Sequence, residues 1–147
     1  MELVSDEEYI IRRVPPPKPN LDFIVKKSDS RFRATSASLH RRPGEMGLSC
    51  SRLSKTSPKQ LLAQINVSSR DGWEVCFWKV GDIPEGLMVV ITPSQPPDSD
   101  PGHCEIRSKD FTKKLVSKLA GASTILTEPE IDEMIPGSIP IQIDTQP

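Results

Sequence analysis

Trp73-Glu74-Val75-Cys76-Phe77-Trp78-Lys79-Val80 is the stretch on which the fold turns. Aromatic and β-branched side chains dominate it, which favours extended backbone. Apolar residues fall on both alternating positions, as in a strand covered on its two faces. The stretch therefore predicts a central strand. Downstream, Gly81-Asp82-Ile83-Pro84-Glu85-Gly86 reads as a turn, Leu87 to Thr92 as a second buried strand, and His103-Cys104-Glu105-Ile106 as a short third one. Ser123 to Thr127 reads as a last strand. Upstream, Leu48-Ser49-Cys50-Ser51-Arg52-Leu53 alternates as a half-buried strand does, Leu21 to Val25 is a short strand, and Phe32 to Leu39 is polar β structure or loop.

Two helices fit between these segments. Ser57-Pro58-Lys59-Gln60 places Ser at the N-cap, Pro at the first helical position and Gln at the third, a capping box ahead of Leu61, Leu62 and Ile65. Lys109 to Ala120 repeats Phe111, Leu115, Val116 and Leu119 along one face, with Lys113, Lys114 and Lys118 outside and Gly121 expected just past the end. The pattern predicts an α+β domain: a small mixed or antiparallel twisted sheet, or a partly open barrel, with two short helices packed on it.

The ends read differently from the middle. Residues 1–20 are expected to form an N-terminal arm. In it, Asp6 to Arg13 suits one helical turn with acids first and bases last, and Pro15-Pro16-Pro17-Lys18-Pro19 suits a polyproline segment. Such a segment can be a ligand for SH3-type domains, and between two apolar stretches it more commonly packs on its own domain. Residues 21–128 are expected to be the single domain, and 129–147 an acidic Pro/Ile tail, flexible or docking. The chain's 15 prolines among 147 residues, about twice the usual frequency of roughly 5%, cut it into these short elements.

Composition bounds the environment. No run of about 18 apolar residues exists to span a membrane. The acidic start Met1 to Glu8 lacks the order of a signal peptide. Three cysteines, Cys50, Cys76 and Cys104, form no C-x-x-C pair and no even disulfide set, so a reduced, cytoplasmic setting is expected. Net charge is −1, but it is unevenly spread. Residues 12–59 carry 12 Lys/Arg against 3 Asp/Glu, and residues 81–147 carry 5 against 11. Either the two regions pair within the fold, or the basic one meets an anionic partner.

Candidate chemistry is sparse. His40, in Leu39-His40-Arg41-Arg42, and His103, in Pro101-Gly102-His103-Cys104, are with Arg41 the catalytic candidates, which a transferase or hydrolase would bring together in one pocket. Strand alternation puts Cys104 on the opposite face from His103, which disfavours that pair. No metal-ligand spacing, phosphate-binding glycine motif or nucleophile elbow occurs, so neither a metal nor a cofactor is expected. The absence of a complete catalytic set weighs against an enzyme. Arg31, Arg33, Arg41, Arg42 and Arg52 could form a face for anions or nucleic acid, with Phe32 stacking on a base.

The elements Phe32-Arg33-Ala34-Thr35-Ser36, Leu48-Ser49 with Arg52-Leu53, Ser57-Pro58, and Pro101-Gly102-His103-Cys104-Glu105-Ile106 together resemble a set of small bacterial proteins. That set carries F-R-x-x-S, S-P-x-x-x-L and P-x-H-A-x-I elements and has no established activity. The resemblance covers roughly residues 8–127, with Cys104 where the pattern has alanine. It implies domain bounds and draws interest to His103 without giving it a role. The leading expectation is a non-enzymatic interaction module, an accessory or regulatory subunit binding a protein partner in a bacterial multi-component system. The alternatives are a nucleic-acid-associated or RNA-processing protein using the arginines, and a small transferase or hydrolase using His40 and His103.

Overall fold

The computed structural model describes residues 2–41, 46–92 and 100–140. In chain order it contains β1 (Tyr9–Val14), β2 (Ile24–Lys26), β3 (Phe32–Ala34), β4 (Gly47–Arg52), α1 (Pro58–Ala63), β5 (Glu74–Lys79), β6 (Met88–Ile91), β7 (His103–Arg107), α2 (Lys113–Ala122), β8 (Thr124–Ile125) and α3 (Glu128–Glu133). Six strands form one antiparallel sheet in the order β6-β7-β4-β1-β5-β8, and β2 and β3 form a separate hairpin. The sheet is open and antiparallel, not a barrel, and the class is α+β. Two connections that the sequence predicts, a turn at Pro43–Gly47 and an acidic, proline-rich loop at Pro93–Gly102, lie mostly outside the described residues.

β5 is an inner strand, as its two-sided apolar pattern requires. It pairs with β1 from Tyr9↔Lys79 to Val14↔Glu74 and with β8 through Cys76↔Ile125. β1 itself departs from expectation: Tyr9–Val14 is a central strand, not part of a helical turn or an arm. The graded charges of Asp6 to Arg13 offer a helix a few tenths of a kcal/mol up to about 1. Burying Ile10, Ile11 and Val14 between two neighbouring strands contributes about 1.5–3 kcal/mol each. Packing decides the contest, and Pro15 ends the strand by lacking a donor. Beyond it Pro16 lies against Gly72, and Pro15 and Pro16 are half-buried while Pro17, Lys18 and Pro19 are exposed. Lys18 and Leu21 bond to each other in both directions around Pro19 and Asn20 (φ 62°), which reverses the chain.

The sheet has a core on each face. Ile10, Val14, Leu48, Cys50, Cys76, Trp78, Cys104 and Ile106 pack with Leu119 and Ala120 of α2. The Trp78 indole N–H donates to the Leu119 carbonyl (2.9 Å) and fixes that helix on the sheet. On the other face Ile11, Leu53, Val75, Phe77 and Leu126 pack with Leu61 of α1 and Ile131 and Met134 at α3.

α1 carries the expected capping box, with Ser57 and Gln60 bonding reciprocally. α2 begins later than expected, because the Thr112 hydroxyl caps the Leu115 amide (3.1 Å). It runs through Gly121, which therefore is not the terminating residue, and stops at Ser123, whose hydroxyl donates to the Ala120 carbonyl (2.7 Å). α3 is a third helix where only a tail was expected. Thr127, Pro129 and Glu130 repeat the capping chemistry of Ser57, Pro58 and Gln60. Both sheet edges are covered. Glu2–Val4 run along β6 (Val4 N to Val89 O 2.9 Å, Ile91 N to Glu2 O 2.8 Å), and the hairpin lies against β8, which removes the free strand edges on which sheets aggregate. Among the described residues no helix is long and apolar enough to cross a membrane.

Candidate functional site

The cross-strand register of β4 and β7 sorts the candidate residues onto faces. Ser51 sits opposite His103, and Cys50 opposite Cys104. Cys50 and Cys104 point into the core under α2, so His103 and Ser51 occupy the other face. Alternation thus separates Cys104 from His103 as expected. Behind His103, Asp100 is buried. It accepts from the hydroxyls of Ser51 and Thr56 (the latter 2.5 Å) and from the Gly102 amide (2.9 Å). Gly102 must be glycine here, since a Cβ would stand 2.8 Å from both the Arg52 carbonyl and the Thr56 hydroxyl. The Gly102 carbonyl in turn accepts from the Arg52 amide (2.7 Å).

His103 is half-buried, with Nδ1 3.0 Å from the Thr92 carbonyl and 2.7 Å from its hydroxyl. Ser51 does not offer its hydroxyl to that ring, since it is turned to Asp100. The arrangement ties the start of β7 to the end of β4 and to Thr56 ahead of α1.

His40 lies elsewhere. Its carbonyl accepts from Arg12 (3.2 Å), and Arg12 stands in register with Cys76, on the face under α2. The sheet therefore lies between His40 and His103 and does not bring them into one pocket. Arg41 is exposed and stacks over the Phe111 ring at 4.7 Å.

The described arginines among the candidates do not form one face. Arg31 is buried, 3.1 Å from Glu130, 3.0 Å from the Ile125 carbonyl and 6.0 Å from the Phe77 ring centre. Arg52 makes a two-pronged contact with Glu8 (3.0 and 2.8 Å), which also accepts from Ser54. That bond to Arg52 holds the Glu8 carboxyl below its ordinary range, and Glu8 raises Arg52 in return. Arg33 donates to the Ala34 carbonyl (3.1 Å) and is half-buried. Arg42 lies outside the described residues. The charge asymmetry of the sequence is thus partly settled inside the fold, with Arg31 from the basic region on Glu130 from the acidic one.

The cysteines are committed to the core. All three are free and buried. Burial pushes the thiols of Cys50 and Cys76 up to about 12 and that of Cys104 upward as well. Among the described residues no three His, Cys, Asp or Glu side chains gather closely enough to hold a metal ion.

The β2–β3 hairpin stands at the surface as well. Phe32 is the one aromatic side chain among the described residues that stands exposed, at 49%. Lys26 is its cross-strand partner and Arg33 its neighbour in sequence. Among the described residues neither enters an ion pair. The hairpin's frame is nevertheless fixed. Arg31 is buried, the Ala34 amide donates to the Ser123 hydroxyl (2.9 Å), and Lys27 reaches the Ser123 carbonyl (2.9 Å) and the Thr124 hydroxyl (3.0 Å). Sequence reasoning singled out Phe32 only as a stacking residue between two arginines. It missed Lys26, Asp100 and Glu130; the signals available were the Asp-Pro-Gly turn and the second capping box. No family model matches the chain, and no curated protein or solved structure is significantly similar to it, so the bacterial resemblance rests on the motifs alone.

Proposed function

We propose that this chain is a non-enzymatic interaction module that docks a protein partner through the β2–β3 hairpin. The observation that carries the reading is Phe32, an exposed aromatic held on a rigid frame. Leaving a phenylalanine in water forgoes the stabilisation that burial gives, and aromatic side chains on fixed supports are the usual anchors of interfaces. Because Arg31 and Ala34 on either side are locked into the domain, little conformational entropy remains to be lost on binding. Lys26, directly across the hairpin, sets a positive charge beside the anchor, and Arg33 adds a second on the hairpin's other face. The complementary partner surface is an apolar pocket rimmed by carboxylates.

A photoreactive phenylalanine analogue placed at position 32 of the full chain, in its native host, tests this. Val67, 76% exposed on another part of the surface, serves as the control position. A discrete protein adduct at 32, absent at 67 and lost when Lys26 and Arg33 are changed to Glu, supports the reading. An adduct removed by nuclease would transfer it to nucleic acid, and identical adducts at both positions, or none, would sink it.

A further inference from the structure

We infer that α3 is a latch on the hairpin, so that docking of the C-terminal segment sets the order of β2 and β3; as a means of regulating partner binding, it rests on the reading of Phe32 above. Arg31 is the connecting residue. Its carbonyl closes the hairpin by accepting from the Lys27 (2.9 Å) and Ser28 (3.1 Å) amides, while its side chain leaves the hairpin and enters the domain. There the guanidinium meets Glu130 Oε1 at 3.1 Å. The same oxygen accepts from the Thr127 amide (2.8 Å) in the capping box that starts α3. One carboxylate oxygen therefore belongs both to the N-terminus of the helix and to the root of the hairpin. Among the described residues Arg31 Nε and Glu130 Oε2 are buried without a hydrogen-bond partner, so Glu130 is the one carboxylate that balances the guanidinium, whose other support is the neutral Ile125 carbonyl (3.0 Å). If α3 leaves, Arg31 keeps that carbonyl and the Phe77 ring but loses its counter-charge, and must either stay as an uncompensated buried charge or come out. Coming out moves the carbonyl that holds the turn together.

The latch is the weaker of the two bodies. α3 is six residues long and is held by Glu130, by partly buried Ile131 and Met134, and by the Gly137 amide on the Leu53 carbonyl (2.9 Å). Segments with so few buried contacts open well below the free energy of global unfolding. Any ligand of the tail that binds the undocked form would release the hairpin with it, and a partner that clamps the hairpin would tighten the tail by the same factor.

The test is amide hydrogen exchange on the full chain without any partner, so its outcome is independent of whether Phe32 docks a protein. Glu130→Gln keeps a residue competent for the capping box but removes the charge facing Arg31. Ile131→Ala loosens α3 without touching the pair. Both variants are expected to speed exchange of the Lys27, Ser28 and Thr35 amides about tenfold or more, while Ile11 and Phe77 in the sheet stay as in the parent chain. Unchanged hairpin exchange in both variants overturns the latch. So does a response to Glu130→Gln alone, which makes Glu130 a local prop, and so does a uniform rise in β1 and β5, which marks general loss of stability.

Discussion

Replacing Asp100 by Ala removes a buried acceptor from under the Ser51 and Thr56 hydroxyls and the Gly102 amide. Hydrogen bonds to a carboxylate contribute about 1.5–3 kcal/mol each, and several that share one carboxylate do not add. The donors are then left in a site where Ser51 is 1% and Thr56 2% exposed, so the desolvation of each is uncompensated. A loss of about 3–5 kcal/mol follows, a large part of the roughly 5–15 kcal/mol that holds a domain folded. Asp100→Asn is milder. Its carbonyl oxygen still serves Gly102 and Thr56, and Ser51 turns its hydroxyl to accept from the new amide, so about 1–2 kcal/mol is expected. Urea unfolding followed by the fluorescence of buried Trp78 measures both. The alanine variant should lower the midpoint by roughly 2 M, with the asparagine variant between it and the parent and the slope unchanged. Photo-cross-linking at position 32 should survive Asp100→Asn, since the network ties β7 to β4 and touches no part of the hairpin. An alanine variant within about 1 kcal/mol of the parent would refute the structural role given to Asp100.

Two further outcomes are accessible in solution. The three thiols should be silent toward an aromatic disulfide reagent in the native protein at pH 8 and should all react once it is unfolded, because burial opposes the thiolate at each site. Cys50 and Cys104, although opposite one another, should also resist oxidation to a disulfide. The Arg52 amide bond to Gly102 makes 50/104 a hydrogen-bonded pair, whose side chains are farther apart than in the intervening pairs; a mass showing loss of two hydrogens in the folded protein contradicts this. The Glu8–Arg52 pair contributes to the acid limb of stability. The folded carboxyl titrates below its unfolded counterpart, so its contribution is complete above the unfolded carboxylate range and fades as pH falls through the lower folded value. Glu8→Gln should cost on the order of 1 kcal/mol at pH 7 and make unfolding less pH-dependent between neutrality and pH 3; an unaltered pH profile counts against the pair.

Where a local interaction decided the structure, the sequence was a sufficient guide. Ser57 and Gln60 reveal α1 because both partners of the capping box lie within one turn. The periodicity of Trp73 to Val80 reveals β5 because two-sided burial is written into one strand. The same local chemistry was present and passed over at Thr127 and Glu130, where the acidic, proline-marked composition of the tail obscured the second capping box. β1 was obscured in the opposite way: its graded charges satisfy a helix locally, while the pairing that makes it a strand is with Arg52 and Ser51 on one side and six residues of β5 on the other.

The candidate site shows the limit more sharply, because its decisive facts are long-range. Nothing near Arg31 distinguishes it from Arg33, two residues away with the same charge. Alternation gives both a place on a hairpin, and a basic face is the natural inference. The difference is made by Glu130, Ile125 and Phe77, which lie far along the chain and converge on Arg31 alone. Once Arg31 is buried, the inference of a continuous arginine face fails and Phe32 changes meaning. It is no longer a ring between two phosphate contacts but an aromatic between an internal anchor and a half-buried arginine, opposite Lys26. A polyanion needs a track of cations; an anchor needs one rigid side chain and a complementary pocket. The burial of one arginine therefore favours the proposed protein-docking reading over the nucleic-acid one, and it sets α3 beside the root of the same hairpin.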